Sequence, residues 1–362
     1  MASQRSVTAL PPVPAVLVET VRRNCLIADA RHARDMAMCS YLLAMREHYR
    51  LEVGLPLGRE VPRKRLGEWL EARERQWDAL EDADYAPLPL EGGSIDPFDC
   101  DAANAELGDQ GLFYSAGLGR GARPHFCLAV LKQRLEAPGH RVLVAGAEYA
   151  ADLVGPPAAL RGETIYLRER ALRRWLWTRI EEWRWRRSNR ALGRALTAYG
   201  VSGDEGDSDA ALDAMTQAEG EAMLLHEQGE LRAAALLGPV WEEMLAALDE
   251  PRSELVVRAV RDHLADCLVT LPELIAREAH ASLHFHAGNL HGMRRELFPG
   301  WLQAYETWVE TGSLASMAAA AEAGRGHWLA QARRLLALHA AQGEGGAAAA
   351  IAALALDATL KL

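Results

Sequence analysis

The segment Gly111–Leu131 reads GLFYSAGLGRGARPHFCLAVL, and it decides the predicted fold class. Apolar runs flank a glycine-rich turn, which is the pattern of a β-hairpin. The run Arg141–Ala145, RVLVA, is a third candidate strand. We predict β-structure only in this part of the chain, near residues 111–146.

Three glycines, Gly117, Gly119 and Gly121, occupy the turn of this hairpin. Their Gly-x-Gly-x-Gly spacing differs from the GxGxxG of dinucleotide-binding loops, and no clear helix N-terminus follows. We therefore interpret the segment as a turn and not as a nucleotide site.

Outside this segment, the chain is rich in Ala and Leu and poor in β-branched residues. This composition favours helices, because straight side chains lose little rotamer freedom there. Apolar residues recur at helical spacing from about Pro14 to Leu51, and an amphipathic helix begins at Pro62. Further helices are predicted at 210–228, 230–248, 252–269, 272–296, 299–311 and 313–342. The predicted fold is mainly α: a multi-helix bundle with a small β-hairpin insertion near 111–146.

Loop-forming segments divide the chain into four predicted regions. Residues 83–110 contain clustered Pro, Gly and Asp, and Gly200–Ser208 is an acidic, glycine-rich linker. The predicted regions are an N-terminal helical hairpin (1–82), a loop-rich segment with short strands (83–160), a long Arg/Trp-rich helix (161–199) and a C-terminal helical bundle (209–362).

Charge and cysteine content exclude several classes of protein. The net charge of −10 repels nucleic acid at long range. The five cysteines are scattered without a CxxC, so they form neither a zinc ribbon nor a disulfide framework. We expect a cytoplasmic protein with reduced thiols, because no secretion signal and no apolar run of about 20 residues for a membrane span is found.

A long helix from Glu163 to Ala198 carries many Arg and Trp residues. Basic and aromatic interleaving is typical of nucleic-acid channels, but acidic helices of the same chain can also pair with the arginines. Because the chain is acidic overall, we favour internal pairing and expect no nucleic-acid partner. An anion or a protein partner is the predicted ligand of Arg174, Trp177, Arg184 and Trp185.

Five of the 12 histidines lie between Asp262 and His291. Helical bundles hold metals with a carboxylate and a histidine one turn apart, because both then reach the same ion. Sets with this spacing are Asp29, His32 and Asp35; His226, Glu227 and Glu230; His263 and Asp266; and His280 and His284. The predicted metal ligands are His32, Asp35, Glu227, Glu230, His263, Asp266 and His284.

These donors favour an iron-type or manganese-type ion, because the thiols are not arranged for structural zinc. The competing interpretation is electrostatic. Arg261 precedes Asp262, and Arg31 follows Asp29, so local ion pairs can form. The same residues then form a buried ion-pair network, or an anion site, without a metal.

His284 and His286 alternate across a helix, so they cannot easily face one point. We select His284 and expect His286 and His291 to face away. The expected site joins two distant segments: His263, Asp266 and His284 from the C-terminal bundle, and Asp29, His32 and Asp35 from the first helix.

Three segments resemble an uncharacterised family of bacterial hypothetical proteins. They are Asn24–Asp35 (NCLIADARHARD), Arg174–Trp177 (RWLW) and Leu283–Phe285 (LHF). The resemblance covers most of the chain and implies a bacterial, cytoplasmic setting. It implies no known activity, fold or ligand.

Two classes of function fit these observations. The first is a helical protein with a carboxylate/histidine metal site and redox or hydrolytic activity. The second is a non-catalytic scaffold or adaptor that contacts partners through its Arg/Trp-rich helix. A nucleophilic hydrolase is not expected, because the chain has no GxSxG and no cysteine in a catalytic motif.

Overall fold

A computed structural model describes residues 11–119, 123–153, 155–201, 208–248, 250–354 and 358–362. The chain divides into two compact units, Met1–Arg179 and Ile180–Leu362. Most of the predicted leader, the centre of the glycine turn and most of the acidic linker lie outside the described residues. No helix in the described ranges is long and apolar enough to cross a membrane.

The first unit begins with helices and a small two-stranded sheet. Its elements are α1 (Ala15–His32), α2 (Met38–Glu52), α3 (Arg63–Asp78), β1 (Leu88–Leu90), β2 (Gly93–Ile95) and α4 (Cys100–Leu107). A 3₁₀ turn at Ala33–Asp35 separates α1 from α2, where the sequence predicted one continuous helix. Asp99 caps α4 by accepting a hydrogen bond from the Ala102 amide at 2.9 Å.

A five-stranded mixed sheet follows in the first unit. Its strands are β3 (Leu112–Leu118), β4 (Pro124–Ala137), β5 (His140–Ala151), β6 (Ala158–Arg161) and β7 (Thr164–Arg168). They lie in the order β3-β4-β5-β7-β6, and only β5 and β7 are parallel. The apolar stripe of α1, which includes Leu17, Val21 and Cys25, packs on β4 and β5.

The predicted fold class, a multi-helix bundle with a small β-hairpin insertion near 111–146, is therefore wrong. The sheet is curled and extends from residue 112 to residue 168. Strand β7 is buried at every position, so it lacks the polar–apolar alternation that marks a half-exposed strand. It also leads directly into the Arg/Trp-rich region. The predicted helix 163–198 consists of β7, then α5 (Glu169–Arg186) and α6 (Arg190–Ala198).

The second unit is helical within its described residues. Besides α6, its helices are α7 (Ser208–Leu237), α8 (Val240–Ala246), α9 (Pro251–Ala265), α10 (Leu271–Ala276), α11 (His280–Asn289), α12 (Gly292–Leu297), α13 (Pro299–Thr311) and α14 (Ala315–Leu354). Pro251 opens α9, and Glu250 caps it by accepting from the Ser253 amide at 2.6 Å. A π-helical segment, Asp266–Thr270, joins α9 to α10. Buried tryptophans, including Trp241, Trp301 and Trp328, fill the core.

Glycine at one position lets two helices of the second unit approach closely. A Cβ added to Gly229 of α7 would lie 2.4 Å from the carbonyl oxygen of Ala265 in α9. The backbones of α7 and α9 are therefore in direct contact at this point. This approach brings the polar residues of α7 next to those of α9 and the π segment.

Candidate functional site

Three side chains of the second unit can reach one point. His226 and Glu230 lie four residues apart on α7, so they share a face, and Asp262 comes from α9. One nitrogen or oxygen atom from each lies within 4.8 Å of the others. The distance from His226 Nε2 to Glu230 Oε1 is 3.7 Å. The three side chains are suited in type and position to share one cation.

Asp266 lies beside this trio at the start of the π segment, and its side chain is only 2% exposed. It is 2.7 Å from Nδ1 of His226 and 3.1 Å from Nε2 of His286. Arg294 of α12 also forms an ion pair with it. When Nδ1 of His226 donates to Asp266, Nε2 is left with the lone pair that a metal ion needs. Such carboxylate–histidine pairs orient ligands in metal sites.

The surrounding charges do not balance. We define the charged cluster as His226, Glu227, Glu230, Arg261, Asp262, Asp266, His286 and Arg294. Arg261 pairs with Glu230 at 2.9 Å and, on its outer side, with the exposed Glu242 at 3.3 Å. The four carboxylates of the cluster face two guanidinium groups. With neutral imidazoles, the cluster therefore has two excess negative charges.

The pKa values in the charged cluster reflect this excess. Burial, reinforced by the charge of Glu230, raises the pKa of Glu227 to about 7. Burial also raises the pKa of Asp262. Burial opposes protonation of His226, but Asp266 and Glu230 outweigh it and raise the pKa of His226 well above its usual value. The raised pKa values mean that these groups bind protons more readily, which reduces the excess negative charge when no cation is present.

Glu230 and Asp266 behave in the opposite way. Burial disfavours the charge of Glu230, but the hydrogen bond with His226 and the charge of Arg261 outweigh it and lower its pKa to about 2. Burial likewise disfavours the charge of Asp266, and Arg294 and His226 hold its pKa well below the usual range. Both groups are therefore carboxylates at neutral pH and can act as oxygen ligands or as acceptors.

Comparison with protein families covers both units. The N-terminal domain of a family of unknown function, DUF6866, matches residues 16–168, and its C-terminal domain matches residues 173–357. The chain belongs to the DUF6866 family. The match confirms the resemblance to an uncharacterised family. No curated protein and no solved structure matches the chain.

The DUF6866 C-terminal domain contains the whole charged cluster. Of the predicted metal ligands, Glu227, Glu230 and Asp266 lie in this cluster. His286, which we expected to face away, contacts Asp266. His226 and Asp262 were absent from the predicted ligands, although His226 lies four residues before Glu230 and Asp262 lies four residues before Asp266. That one-turn interval was the signal that could have found them.

Two predicted ligands of the DUF6866 C-terminal domain have other contacts. Nε2 of His263 is 2.9 Å from the carbonyl oxygen of Arg294, and its ring stacks on Trp328. Nδ1 of His284 is 2.9 Å from the hydroxyl of Tyr305, and its ring stacks on Trp308. Burial lowers the pKa of His263 to about 3 and that of His284 to about 4. Both rings are neutral at physiological pH.

The remaining predicted ligands lie in the DUF6866 N-terminal domain. Nδ1 of His32 is 3.6 Å from Oδ2 of Asp35, and the same oxygen is 3.5 Å from Arg123. Asp29 is buried and accepts a hydrogen bond from the Leu153 amide at 3.0 Å. The charged cluster contains none of these residues, because α7, α9, the π segment, α11 and α12 supply all of its groups.

The predicted anion or partner site has mixed surroundings. Trp177 is buried, and Arg174 lies 3.5 Å from the buried carboxylate of Glu148. Arg184 is partly buried, whereas Trp185 is 72% exposed. Of these four side chains, only Trp185 is largely available to a partner.

Proposed function

We propose that the C-terminal domain binds a divalent Fe²⁺ or Mn²⁺ ion through His226, Glu230 and Asp262. The proximity of their three donor atoms, all within 4.8 Å of one another, carries this proposal. Imidazole with carboxylates suits these ions, whereas thiolates would favour zinc or copper. Burial raises the pKa of Cys267, the cysteine next to Asp266, well above its usual value, so its thiol is a poor ligand.

The charge excess supports a cation at this place. A dication would neutralise the two excess negative charges that the guanidinium groups leave. It would also compete with protons for this site, because the pKa values of His226, Glu227 and Asp262 are raised. A buried group of like charges without such compensation would be strongly unfavourable.

We further propose that the bound ion is a catalytic centre for a hydrolytic or redox reaction. Three protein ligands leave coordination positions free, as in catalytic sites and unlike closed structural sites. Glu227, with a pKa of about 7, is suited to exchange protons near neutral pH. When bound, the ion would supply Lewis acidity or electron transfer.

Metal titration tests the binding proposal. The full chain is stripped with a chelator, dialysed and titrated anaerobically with Fe²⁺ and Mn²⁺ in a calorimeter. We expect one site per chain. Glu230→Gln and Asp262→Asn should each lower the affinity by at least about tenfold. Glu243→Gln, which changes an exposed carboxylate on α8, is the matched control and should leave the affinity unchanged.

Two outcomes would contradict metal binding. The first is that neither ion binds the stripped protein. The second is that both ions bind equally well to the wild type and to the two ligand variants. Either result would assign the charged cluster to a buried ion-pair network.

Two assays separate the reaction classes. Oxygen consumption by the Fe²⁺-loaded protein tests redox chemistry. Release of nitrophenol from nitrophenyl esters and nitrophenyl phosphate by the Mn²⁺-loaded protein tests hydrolysis. Glu227→Gln should lower turnover while the metal affinity changes little. Absence of turnover in both assays would contradict catalysis and leave metal binding as the function.

A further inference from the structure

The N-terminal domain contains a pocket that the metal proposal does not use. It has a volume of about 470 Å³ and lies where α1 meets the ends of β4 and β5. We call it the aspartate pocket, and its polar lining comprises Asp29, His32, Arg123, His125 and Asp152. This volume falls in the range of about 300–1,000 Å³ that is usual for small-molecule sites.

The Asp152 carboxylate is held in place through one oxygen, and its other oxygen has no hydrogen-bond partner among the described residues. Its side chain is 2% exposed and lines the pocket. Oδ2 accepts a hydrogen bond from the Phe126 amide at 2.6 Å and lies 3.8 Å from Arg168. Within the described part of the chain, Oδ1 is buried and has no hydrogen-bond partner. Its environment therefore provides an acceptor that no protein donor uses.

His125 has a similar unused atom. It is 4% exposed and lines the same pocket, and its Nδ1 has no hydrogen-bond partner among the described residues. Burial lowers the pKa of His125 to about 4, so the ring is neutral at physiological pH. With its proton on Nε2, the ring offers Nδ1 as a second acceptor.

The charges around the aspartate pocket select the ligand. Arg168 also contacts Glu148 at 3.3 Å, and Arg123 in the lining lies 3.5 Å from Asp35, so both positive charges are already matched. A carboxylate or phosphate ligand would meet the like charge of Asp152. A buried acceptor without a partner is unfavourable, and a ligand with N–H donors would recover this loss.

We propose that the aspartate pocket binds a small primary ammonium compound. Its NH₃⁺ group donates to Oδ1 of Asp152 and to Nδ1 of His125. An ammonium group has three donors, and it brings a positive charge next to Asp152. This site is independent of the charged cluster, since all of its residues lie in the N-terminal domain.

Calorimetry on the metal-stripped full chain tests the proposal. The probes are butylamine, butanol and butyrate, which have equal chain length and different head groups. We expect saturable binding of butylamine, at least about tenfold tighter than that of butanol, and no binding of butyrate. Chelator stays in the buffer, so the result does not depend on metal binding.

Two variants link binding to the pocket. Asp152→Asn should lower the affinity for butylamine at least tenfold, and Asp109→Asn, an exposed aspartate outside the pocket, should not change it. His125→Phe keeps a ring in place and should also lower the affinity. It serves as the test if Asp152→Asn fails to fold.

Three outcomes would overturn the proposal. Butylamine does not bind, which would assign the pocket to ordered water. Butyrate binds more tightly than butylamine, which would reverse the expected charge preference. Or butylamine binds equally well to the wild type and to both pocket variants.

Discussion

Each domain buries a group of charged side chains, and the two groups differ in their balance of charge. In the N-terminal domain, Glu148 and Asp152 face Arg168 and Arg174, with separations of 3.3 to 3.8 Å. Two carboxylates thus meet two guanidinium groups. The charged cluster of the C-terminal domain has four carboxylates for two guanidinium groups, and it adds two imidazoles. The guanidinium groups match the carboxylates of the first group in number, whereas the second group relies on protons or a cation for the remaining charge.

The two groups also differ in how the backbone holds them. Glu148 lies on β5 and Arg168 ends β7, and these strands form a parallel ladder in the sheet. The charged cluster instead depends on the close approach of α7 and α9 at Gly229. A balanced pair on a hydrogen-bonded sheet is suited to a structural role. An unbalanced cluster between helices is suited to binding.

The largest effect is expected from Arg168→Met. This residue belongs to the N-terminal group of Glu148, Asp152, Arg168 and Arg174, which we call the balanced group. The substitution leaves Asp152 buried without its guanidinium partner and Glu148 with Arg174 alone, which should lower the free energy of unfolding by about 3–5 kcal/mol. Urea denaturation measures the loss. Lys132→Met, which removes a half-exposed partner of Glu169, is the control and should cost no more than about 1 kcal/mol. If both variants lowered the free energy of unfolding equally, the buried ion pairs of Arg168 would have no special structural role, and the comparison between the two groups would fail.

Gly229→Ala tests the contact between α7 and α9 that lies next to the charged cluster. The added methyl group would overlap the Ala265 carbonyl, so α7 and α9 must separate at a cost of about 1–3 kcal/mol. The affinity for Mn²⁺ should fall as well, because His226 and Glu230 move away from Asp262. Calorimetry and thermal denaturation measure both effects.

Gly326→Ala on α14 is the matched control for this variant. The added Cβ meets no atom within 4 Å, so helix propensity alone should act, and stability should rise by about 0.5–1 kcal/mol. Unchanged metal affinity in Gly229→Ala would show that the close approach does not position the cluster.

Part of the candidate site could be predicted from sequence, because one-turn spacing is local. This spacing pointed to Glu227, Glu230 and Asp266, and all three lie in the charged cluster. Spacing also indicated correctly that His284 and His286 lie on different faces of a helix. It could not indicate which face meets Asp266, since that depends on packing against other helices. The sequence therefore favoured His284, whose ring stacks on Trp308 instead.

Local sequence patterns could not predict the π segment or the pairing of the sheet, for related reasons. The i→i+5 hydrogen bonding of the π segment Asp266–Thr270 shifts the helical register, so α-helical spacing does not apply across it. In the sheet, β5 pairs with β7, and β6 forms the edge. That pairing is non-local, and its buried strand β7 has no alternating pattern to reveal it.

Asp266→Asn tests the orienting role of the buried carboxylate. The amide is a weaker acceptor for Nδ1 of His226, so the ring is held less firmly, and we expect the Mn²⁺ affinity to fall about 10- to 100-fold. Asp152→Asn changes the buried aspartate of the balanced group and should leave the Mn²⁺ affinity unchanged. Similar losses in both variants would point to general destabilisation instead of ligand orientation.

The smallest expected effect is the pH dependence of metal binding. His226, Glu227 and Asp262 all have raised pKa values, so the metal-free fold binds extra protons, and its stability falls as pH rises through these values. Arg261 and Arg294 keep their charge throughout. A metal ion must displace the protons, so its affinity should rise with pH.

Near pH 7, where Glu227 titrates, each proton that the ion displaces gives at most about a tenfold gain in Mn²⁺ affinity per pH unit. The increase in melting temperature on adding Mn²⁺ should accordingly be larger at pH 8 than at pH 6. Glu227→Gln removes one competing proton and should flatten the dependence near neutral pH, while Glu243→Gln should not. An affinity that stays constant from pH 6 to pH 8 in the wild type would mean that the ion does not replace these protons. The excess negative charge would then have no part in metal binding.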